Sequence, residues 1–282
     1  MRGFIAFLLT AGCLLGQDNL KRAEELYQKT DYRASLAILH GHSAEDAAAY
    51  NLMGRDYFML GEYKKAADVF QKAQALEPKK SDHAHWLGRT FGRRAETSNP
   101  FSAPMYASKA RQYFEHAVAL DPGNEEALND LFDYYLQAPG FLGGGFDKAE
   151  AIARQIAQRN EAEGHFAQAQ LADKRKEYDT AEQQLRRAMD LAPRQVGRVI
   201  DLARYLAKHG RYQESDAAFE RANKLAPNAP KVMFARAHTY IEEKRNLEKA
   251  KSLLIQYLQS DLSPEDPPRE QAQKLLKQVS GS

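Results

Sequence analysis

The sequence predicts an all-α protein, built as one array of helix-turn-helix units that stack side by side. Two observations predict this fold class. A pattern of small, large and small residues that ends in proline recurs along the chain, and Pro193 and Pro227 are 34 residues apart. The composition also provides a core, because 43% of the 282 residues are hydrophobic and 28% are charged. Wholesale disorder is therefore excluded.

The first segment of the chain, residues 1–16, is typical of a secretory signal peptide. Arg2 precedes an apolar run that starts at Phe4, and polar sequence begins at Gln17. The run ends at Leu15, and as a helix it would cover about 18 Å of a hydrocarbon core about 30 Å thick. It is too short to span a membrane. We therefore expect an exported protein, periplasmic or secreted.

Two other interpretations of this segment stay open. The sequence from Thr10 to Cys13 resembles a bacterial lipoprotein box, although Thr10 replaces the usual leucine. Cys13 would then be lipidated and would anchor the protein in the envelope. The apolar run could instead form a buried amino-terminal helix. The chain has no Asn-x-Ser/Thr acceptor, which favours a bacterial envelope over a eukaryotic secretory pathway.

Charge and cysteine content exclude several classes of protein. Forty basic and 38 acidic residues leave a net charge of +2, so nothing global points to nucleic acid or to an anionic membrane as a partner. We expect membrane association only if Cys13 is lipidated. Because Cys13 is the single cysteine, an intrachain disulfide and a cysteine-based zinc site are excluded.

Helix packing explains the repeated pattern, as residues 66–78 show. Ala66, Phe70 and Ala73 are four and three residues apart, which places them on one face of a helix. The two alanines let helix axes approach, and Phe70 fills the gap. Pro78 ends the helix. The same spacing recurs at Ala110, Phe114, Ala117 and Pro122, at Ala181, Leu185, Ala188 and Pro193, and at Ser215, Phe219, Ala222 and Pro227.

At these residues the chain resembles the tetratricopeptide repeat family, whose unit is a helix-turn-helix of 34 residues. The resemblance implies a right-handed α-solenoid of about seven units with a C-terminal capping helix. We assign a partial first repeat to residues 17–46, the repeat array to residues 47–264, and the capping helix and tail to residues 265–282. Such arrays are mostly scaffolds for peptides and proteins, with many unrelated partners.

Extra residues interrupt the period at two places. The first excess is predicted as a loop near residues 93–104, stiffened by two prolines, and the second lies near residues 137–145. Phe101 and Phe141 lie in these insertions. Each would be an apolar anchor for a partner if it is exposed, or would pack into the array.

The second insertion contains three consecutive glycines, Gly143 to Gly145, before a predicted helix. Their backbone N–H groups could bind an anion, which would make the protein an anion- or small-ligand-binding protein. The glycines could instead let a tight loop turn with positive φ, and we favour this interpretation. A phosphate loop would need Gly-Lys-Ser/Thr, and a dinucleotide fingerprint would need a preceding strand.

The resemblance also implies where a partner binds, because the first helix of each unit lines the concave surface in this family. Such a groove is polar, and basic near its first third and near its end. Arginine can hold a carboxylate through two hydrogen bonds, so an acidic or C-terminal peptide is the expected partner. The alternative is that these charges only solvate a helix face. The candidate groove residues are Asn51, Arg55, His85, Arg89, Arg93, Asn129, Asp133, Gln170, Lys174, Arg204, Lys208 and His238.

Motifs that would indicate catalysis are missing from the sequence. His83 and His85 are two residues apart and cannot share a helical face, so they do not predict a metal site. No Gly-x-Ser-x-Gly or His-Glu-x-x-His run occurs. We therefore expect a non-enzymatic scaffold without cofactor or metal that binds protein or peptide. The alternative is a lipid-anchored subunit of an envelope assembly machine.

Overall fold

The computed structural model describes residues 18–41 and 46–280, and within them the chain is helical without strands. This confirms the predicted all-α class. The predicted leader and Cys13 lie outside the described residues. The chain divides into two units, an N-terminal unit up to Gly145 and a C-terminal unit from Phe146.

The N-terminal unit contains seven α-helices and a 3₁₀ turn among its described residues. Each helix packs against the next along the chain from α2 to α7, and α3, α5 and α7 also pack in series. The helices are α1 (18–28), α2 (Tyr32–His40), α3 (Ala47–Met59), α4 (Tyr63–Leu76), α5 (Ser81–Thr97), α6 (Ala103–Leu120) and α7 (Glu125–Gln137), and the 3₁₀ turn is Gly140–Leu142.

The C-terminal unit, taken by itself, is also built from consecutive packed helices. Consecutive helices pack against one another, and α13 contacts both α11 and α15. Because the connections are short, neighbouring helices run antiparallel as hairpins. The helices are α8 (Phe146–Arg159), α9 (Glu161–Lys174), α10 (Tyr178–Leu191), α11 (Val196–Lys208), α12 (Tyr212–Leu225), α13 (Pro230–Glu242), α14 (Leu247–Gln259) and α15 (Arg269–Ser280).

Close approach between the two helices depends on glycine in two hairpins of the N-terminal unit. A Cβ atom added at Gly54 of α3 would lie 2.5 Å from the ring of Phe70 on α4. A Cβ atom added at Gly88 of α5 would likewise overlap the ring of Phe114 on α6. Both rings are buried, so each fills the space that a missing side chain leaves on the partner helix.

The turns within hairpins share a left-handed residue after the first helix. Gly61 and Gly210 have φ values of 73° and 74° there, and Lys176 and Lys244 have 64° and 51°. In each case the next N–H donates to a carbonyl in the last turn of the first helix, for example Glu62 N–H to Tyr57 O at 2.8 Å. This is a helix C-cap that closes the turn in few residues.

The structure corrects the prediction of a loop near residues 93–104. Helix α5 continues to Thr97 and α6 begins at Ala103, so the excess mainly lengthens two helices. Only residues 98–102 connect them. Pro104 lies in the first turn of α6, where proline is compatible with a helix.

A buried carboxyl connects the first two hairpins. Asp56 of α3 is fully buried and accepts a hydrogen bond from the hydroxyl of Ser35 on α2 at 2.7 Å. Its Oδ1 atom has no hydrogen-bond partner. Burial raises the pKa of Asp56 to about 8, against the lowering effects of the Ser35 bond and the charge of Arg55. At neutral pH this carboxyl is therefore protonated in the folded protein.

We expect Ala181→Arg to destabilise the C-terminal unit by at least about 3 kcal/mol, because Ala181 is fully buried on α10 and arginine would bring both excess volume and a charge. Chemical denaturation followed by circular dichroism measures the change. Gln183→Arg, at an exposed position of the same helix, is the control and should change stability by less than about 0.5 kcal/mol. Equal stability of the two variants would contradict the packing described for α10.

A second expectation concerns pH and Asp56. The pKa of this carboxyl is about 8 in the folded protein and has its ordinary value of 3.8 when the chain is unfolded, so the free energy of unfolding falls as pH rises between these values. Asp56→Asn should remove this fall and should be more stable than the wild type at pH 8. Denaturation midpoints at several pH values test this, with Asp68→Asn at an exposed position of α4 as control. If Asp56→Asn leaves the pH dependence of the denaturation midpoint unchanged, Asp56 is not its cause.

Candidate functional site

A cavity of about 520 Å³ opens on the first helices of three consecutive hairpins in the C-terminal unit. We call it the C-terminal cavity. Helices α9, α11 and α13 supply most of its walls, and α10 supplies one apolar residue. Its lining residues are Phe166, Ala169, Gln170, Asp173, Leu185, Asp201, Arg204, Tyr205, Lys208, Thr239, Glu242 and Glu243.

Helical periodicity brings the lining residues of each helix to one face. On α11, Asp201, Arg204 and Lys208 follow at intervals of three and four, so their side chains project in the same direction. Phe166 and Tyr205 add aromatic surface between the charged groups. The result is a concave surface with apolar walls and a charged rim, as in ligand pockets generally.

Ion pairs between α9 and α11 hold the wall of the C-terminal cavity together. Lys208 Nζ lies 2.6 Å from Asp173 Oδ2, and His209 Nε2 lies 3.0 Å from Asp173 Oδ1. Arg198 reaches Glu163 at 2.6 Å and Asp201 at 2.9 Å. The pairs that join α9 to α11 fix the spacing of the two helices, and together these contacts occupy the carboxylates of Asp173 and Asp201.

One group in this cavity, the guanidinium of Arg204, remains available to a partner. Arg204 is exposed, its Nη2 atom is 3.5 Å from His238 Nδ1, and within the described part of the chain no carboxylate lies within 4 Å of it. Burial raises the pKa of Asp201 to about 6, with Arg198 and Arg204 opposing the shift. Arg204 is thus a guanidinium that can pair with a partner's carboxylate.

The N-terminal unit has a smaller cavity of about 340 Å³, the N-terminal cavity, between α5, α6 and α7. Two residues predicted to lie in the groove, Arg89 and Arg93, line it together with Asp130 and the rings of Phe58 and Phe114. Arg89 Nε lies 3.8 Å from a carboxylate oxygen of Asp130.

The predicted groove arginines of the N-terminal unit, Arg55, Arg89 and Arg93, contact aromatic rings. The guanidinium carbon of Arg55 is 4.3 Å from the ring centre of Tyr27, and that of Arg89 is 4.5 Å from the ring centre of Trp86. Arg93 Nε donates to Tyr63 Oη at 3.2 Å. Such stacking orients a cation while leaving donors free, but it also gives these arginines a structural role.

Two of the predicted groove residues are buried, which corrects their assignment to an open surface. Asn51 of α3 donates to Asp82 Oδ2 at 3.0 Å and contacts His83 Nδ1 at 2.9 Å. His85 of α5 is 1% exposed, and its Nε2 atom is 2.7 Å from Asp130 Oδ2. Both side chains hold neighbouring hairpins together.

The remaining predicted residues lie at varied depths. Gln170, Arg204 and Lys208 line the C-terminal cavity, and His238 lies beside it with Nδ1 3.2 Å from Glu242. The other three are spread over α7 and α9 outside the two cavities, with Asn129 half-buried and Asp133 and Lys174 exposed.

Sequence reasoning missed several lining residues of the C-terminal cavity, among them Asp173, Asp201, Tyr205 and Thr239. The sequence does contain an indication of two of them, since Asp173 follows Gln170 by three residues and Asp201 precedes Arg204 by three. Residues one turn away from a predicted groove residue share its face.

The glycine-rich turn does not offer free amides to an anion. The N–H groups of Gly143, Gly144 and Gly145 donate to the carbonyls of Gly140, Pro139 and Tyr135, at 2.9, 3.3 and 2.8 Å. Gly143 and Gly145 have φ values of 87° and 152°, as the turn interpretation predicts. The amides are used inside the turn, which removes the basis of the anion-binding alternative there.

Phe101 and Phe141 are exposed, by 96% and 82% respectively. The alternative in which they pack into the array is therefore excluded. Among the residues 18–41 and 46–280, no cluster of histidine, cysteine and acidic side chains could hold a metal ion. Nor is any helix in those ranges long and apolar enough to cross a bilayer.

Comparison with known proteins gives matches to two family models, both described as tetratricopeptide repeat, over residues 47–80 and 200–267. No curated protein matches. Several solved structures share the fold. A tetratricopeptide repeat protein from Parabacteroides merdae has a TM-score of 0.62 and 16% identity, over 95% of this chain and 99% of that one.

Two further structures are similar at the level of the fold. A thermophilic protein of this repeat class from Thermus thermophilus has a TM-score of 0.54 and 20% identity, over 72% of this chain and 99% of that one. The Cut9–Hcn1 hetero-tetramer of the APC/C has a TM-score of 0.53 and 17% identity, over 91% of this chain and 48% of that one.

The glycine-rich turn can be tested by substitution. A Cβ atom at Gly144 would overlap the carbonyl oxygen of Ala138, whereas one at Gly140 would meet nothing within 4 Å. Gly144→Ala should therefore lower stability by about 1–3 kcal/mol, and Gly140→Ala should stay within about 0.5 kcal/mol of the wild type. Thermal denaturation of both variants, with and without phosphate, is the measurement. Phosphate-dependent stabilisation that Gly144→Ala abolishes would restore the anion-binding interpretation.

Proposed function

Because this chain belongs to the tetratricopeptide repeat family, we propose that it is a non-enzymatic scaffold that binds a protein or an extended peptide. The C-terminal cavity is the observation that carries this proposal. It lies on the first helices of consecutive hairpins, the position that the family resemblance implies for a partner. Its volume of about 520 Å³ accommodates a few side chains of an extended peptide.

The guanidinium of Arg204, which has no carboxylate within 4 Å among the described residues, defines the chemistry of the partner. Asp173 and Asp201 on the cavity wall are already paired, with Lys208 and Arg198 respectively. Arg204 is left to form two parallel hydrogen bonds with a carboxylate from outside. The lining carboxylates would repel a continuous acidic run, so they favour a partner that places one carboxylate here, such as a chain terminus.

Apolar surface supplies the second part of the recognition. Phe166 and Tyr205 lie beside the charged groups of the cavity, and Leu185 adds an aliphatic wall. A partner with an apolar side chain next to its carboxylate would pack against this apolar wall and also pair with Arg204. Each such side chain contributes about 1.5–3 kcal/mol when fully buried, which makes the apolar contact as important as the ion pair.

We further propose that this binding takes place in the bacterial cell envelope, either in the periplasm or outside the cell. The leader over residues 1–16 supports this location. A second form, anchored by lipid at Cys13 as part of an envelope assembly machine, is supported by the small-small-cysteine order at residues 11–13. The intact mass of the mature protein distinguishes the two forms.

Arg204→Glu should abolish selection of peptides by the C-terminal cavity. A display library of random peptides with free C-termini, selected on the wild type, should enrich sequences with an apolar residue beside a terminal carboxylate. Affinity of the enriched peptides should fall at least about tenfold for Arg204→Glu, because two charge-assisted hydrogen bonds are replaced by repulsion.

Arg221→Glu on α12 is the matched control, since Arg221 is an exposed arginine on the second helix of the same hairpin. It makes the same change of charge and should keep wild-type affinity. Amidation of the peptide C-terminus should weaken binding to the wild type as much as Arg204→Glu does. Enrichment of the same peptides by the wild type and by Arg204→Glu would overturn the proposed site.

A further inference from the structure

The walls of the C-terminal cavity carry more negative than positive charge. Two cations and four carboxylates line it. A partner that offered only a carboxylate would leave this excess of negative charge uncompensated. The charge of the lining therefore says more about the partner than the position of one arginine does. The six charged lining residues are Asp173, Asp201, Arg204, Lys208, Glu242 and Glu243.

Two of the four lining carboxylates are paired inside the protein. Asp173 lies 2.6 Å from Lys208, which also lines the cavity. Asp201 lies 2.9 Å from Arg198 of the same helix. These ion pairs satisfy the carboxylates of α9 and α11. The lining charges that remain are one guanidinium on α11 and two carboxylates at the end of α13.

The two carboxylates of α13, Glu242 and Glu243, have no lysine or arginine nitrogen within 4 Å among the described residues. Glu242 Oε2 is 3.2 Å from Nδ1 of His238, and Glu243 accepts a hydrogen bond from the hydroxyl of Tyr212 at 3.3 Å. The last turn of α13 contains no basic residue. Because the carboxyl end of a helix also carries negative partial charge, a cation from outside is favoured here.

The imidazole of His238 separates the guanidinium of α11 from one of these carboxylates. Its Nδ1 atom lies 3.5 Å from Arg204 Nη2 and 3.2 Å from Glu242 Oε2, so the last two atoms are less than 7 Å apart. They do not form an ion pair within 4 Å. One ligand can therefore contact both groups, because the four-carbon stem of a lysine side chain covers a distance of this size.

Apolar surface lies beside these opposite charges. Phe166, Leu185 and Tyr205 line the same cavity. A partner side chain that packs against them displaces water from the cavity, and attraction between charges strengthens where water is excluded. The cavity thus combines an apolar wall, one cation and two carboxylates, which complements a ligand with an apolar group, one anion and one cation.

We propose that the preferred partner of the C-terminal cavity is a peptide C-terminus in which a basic residue precedes a final apolar residue. The terminal carboxylate pairs with Arg204, and the basic side chain pairs with Glu242 and Glu243. The apolar side chain packs against Phe166 and Tyr205. This inference rests on the proposed carboxylate site and adds a cation as its second requirement. It narrows the partner from an acidic or C-terminal peptide to a basic C-terminal one.

Three peptides that differ at one residue test the requirement for a cation. Each ends in leucine with a free carboxylate, and the residue before the leucine is lysine, norleucine or glutamate. Affinity for the full chain is measured by isothermal titration calorimetry at pH 8, where the carboxyl of Asp201, whose pKa is about 6, is ionised. The lysine peptide should bind at least about threefold more tightly than the norleucine peptide, and at least about tenfold more tightly than the glutamate peptide.

Glu242→Lys with Glu243→Lys reverses the charge at the end of α13 and should reverse the order of the peptides. The glutamate peptide should then bind at least about threefold more tightly than the lysine peptide, a gain that also shows that the variant is folded. Glu248→Lys with Glu265→Lys is the matched control, because it makes the same change of net charge at exposed positions outside the cavity. It should keep the wild-type order.

The outcomes separate this inference from the function on which it rests. Equal binding of the lysine and norleucine peptides, with weaker binding of their amidated forms, would overturn the requirement for a cation and leave the carboxylate site intact. A preference for lysine that the charge reversal at the end of α13 leaves unchanged would also overturn it. Absence of binding by all three peptides, or binding that amidation does not weaken, would overturn the carboxylate site and this inference with it.

Discussion

The close contact between a glycine of one helix and a ring of its hairpin partner is the constraint on which two hairpins of the N-terminal unit, α3–α4 and α5–α6, depend. Gly54 and Gly88 each leave space for a phenylalanine that no side chain could share. This contact sets the distance between helix axes. With that distance fixed, α3 and α5 place Phe58, Arg89 and Arg93 on the wall of the N-terminal cavity.

Most of the fold could be predicted from the sequence, because the spacing of small and large residues repeats. Burial at Ala66, Phe70 and Ala73 follows directly from that spacing. The candidate groove was predicted less well. Asn51 and His85 have the spacing of surface residues, but their partners Asp82 and Asp130 lie 31 and 45 residues away. A hydrogen bond over such a separation leaves no periodic signal in the sequence.

The insertions show a different limit of sequence reasoning. Two prolines near residues 100–104 indicate a loop, yet a proline in the first turn of a helix removes no hydrogen bond, and α6 begins there. Exposure of Phe101 and Phe141 could not be decided from the sequence either, because it depends on how the turns are fixed. Asn99 Oδ1 accepts a hydrogen bond from the N–H of Phe101, and Tyr134 Oη donates one to the carbonyl of Leu142. Local polar contacts, which carry no periodicity, decide the shape of these segments.

Trp86 gives the chain a built-in optical probe. It is the single tryptophan of the sequence, it is 9% exposed, and its ring lies 5.7 Å from that of Phe70. Indole emission therefore reports the integrity of the N-terminal unit alone, while far-ultraviolet dichroism reports helices in both units. Since repeat arrays need not unfold as one cooperative block, the difference between the two signals measures how strongly the halves of the chain are coupled.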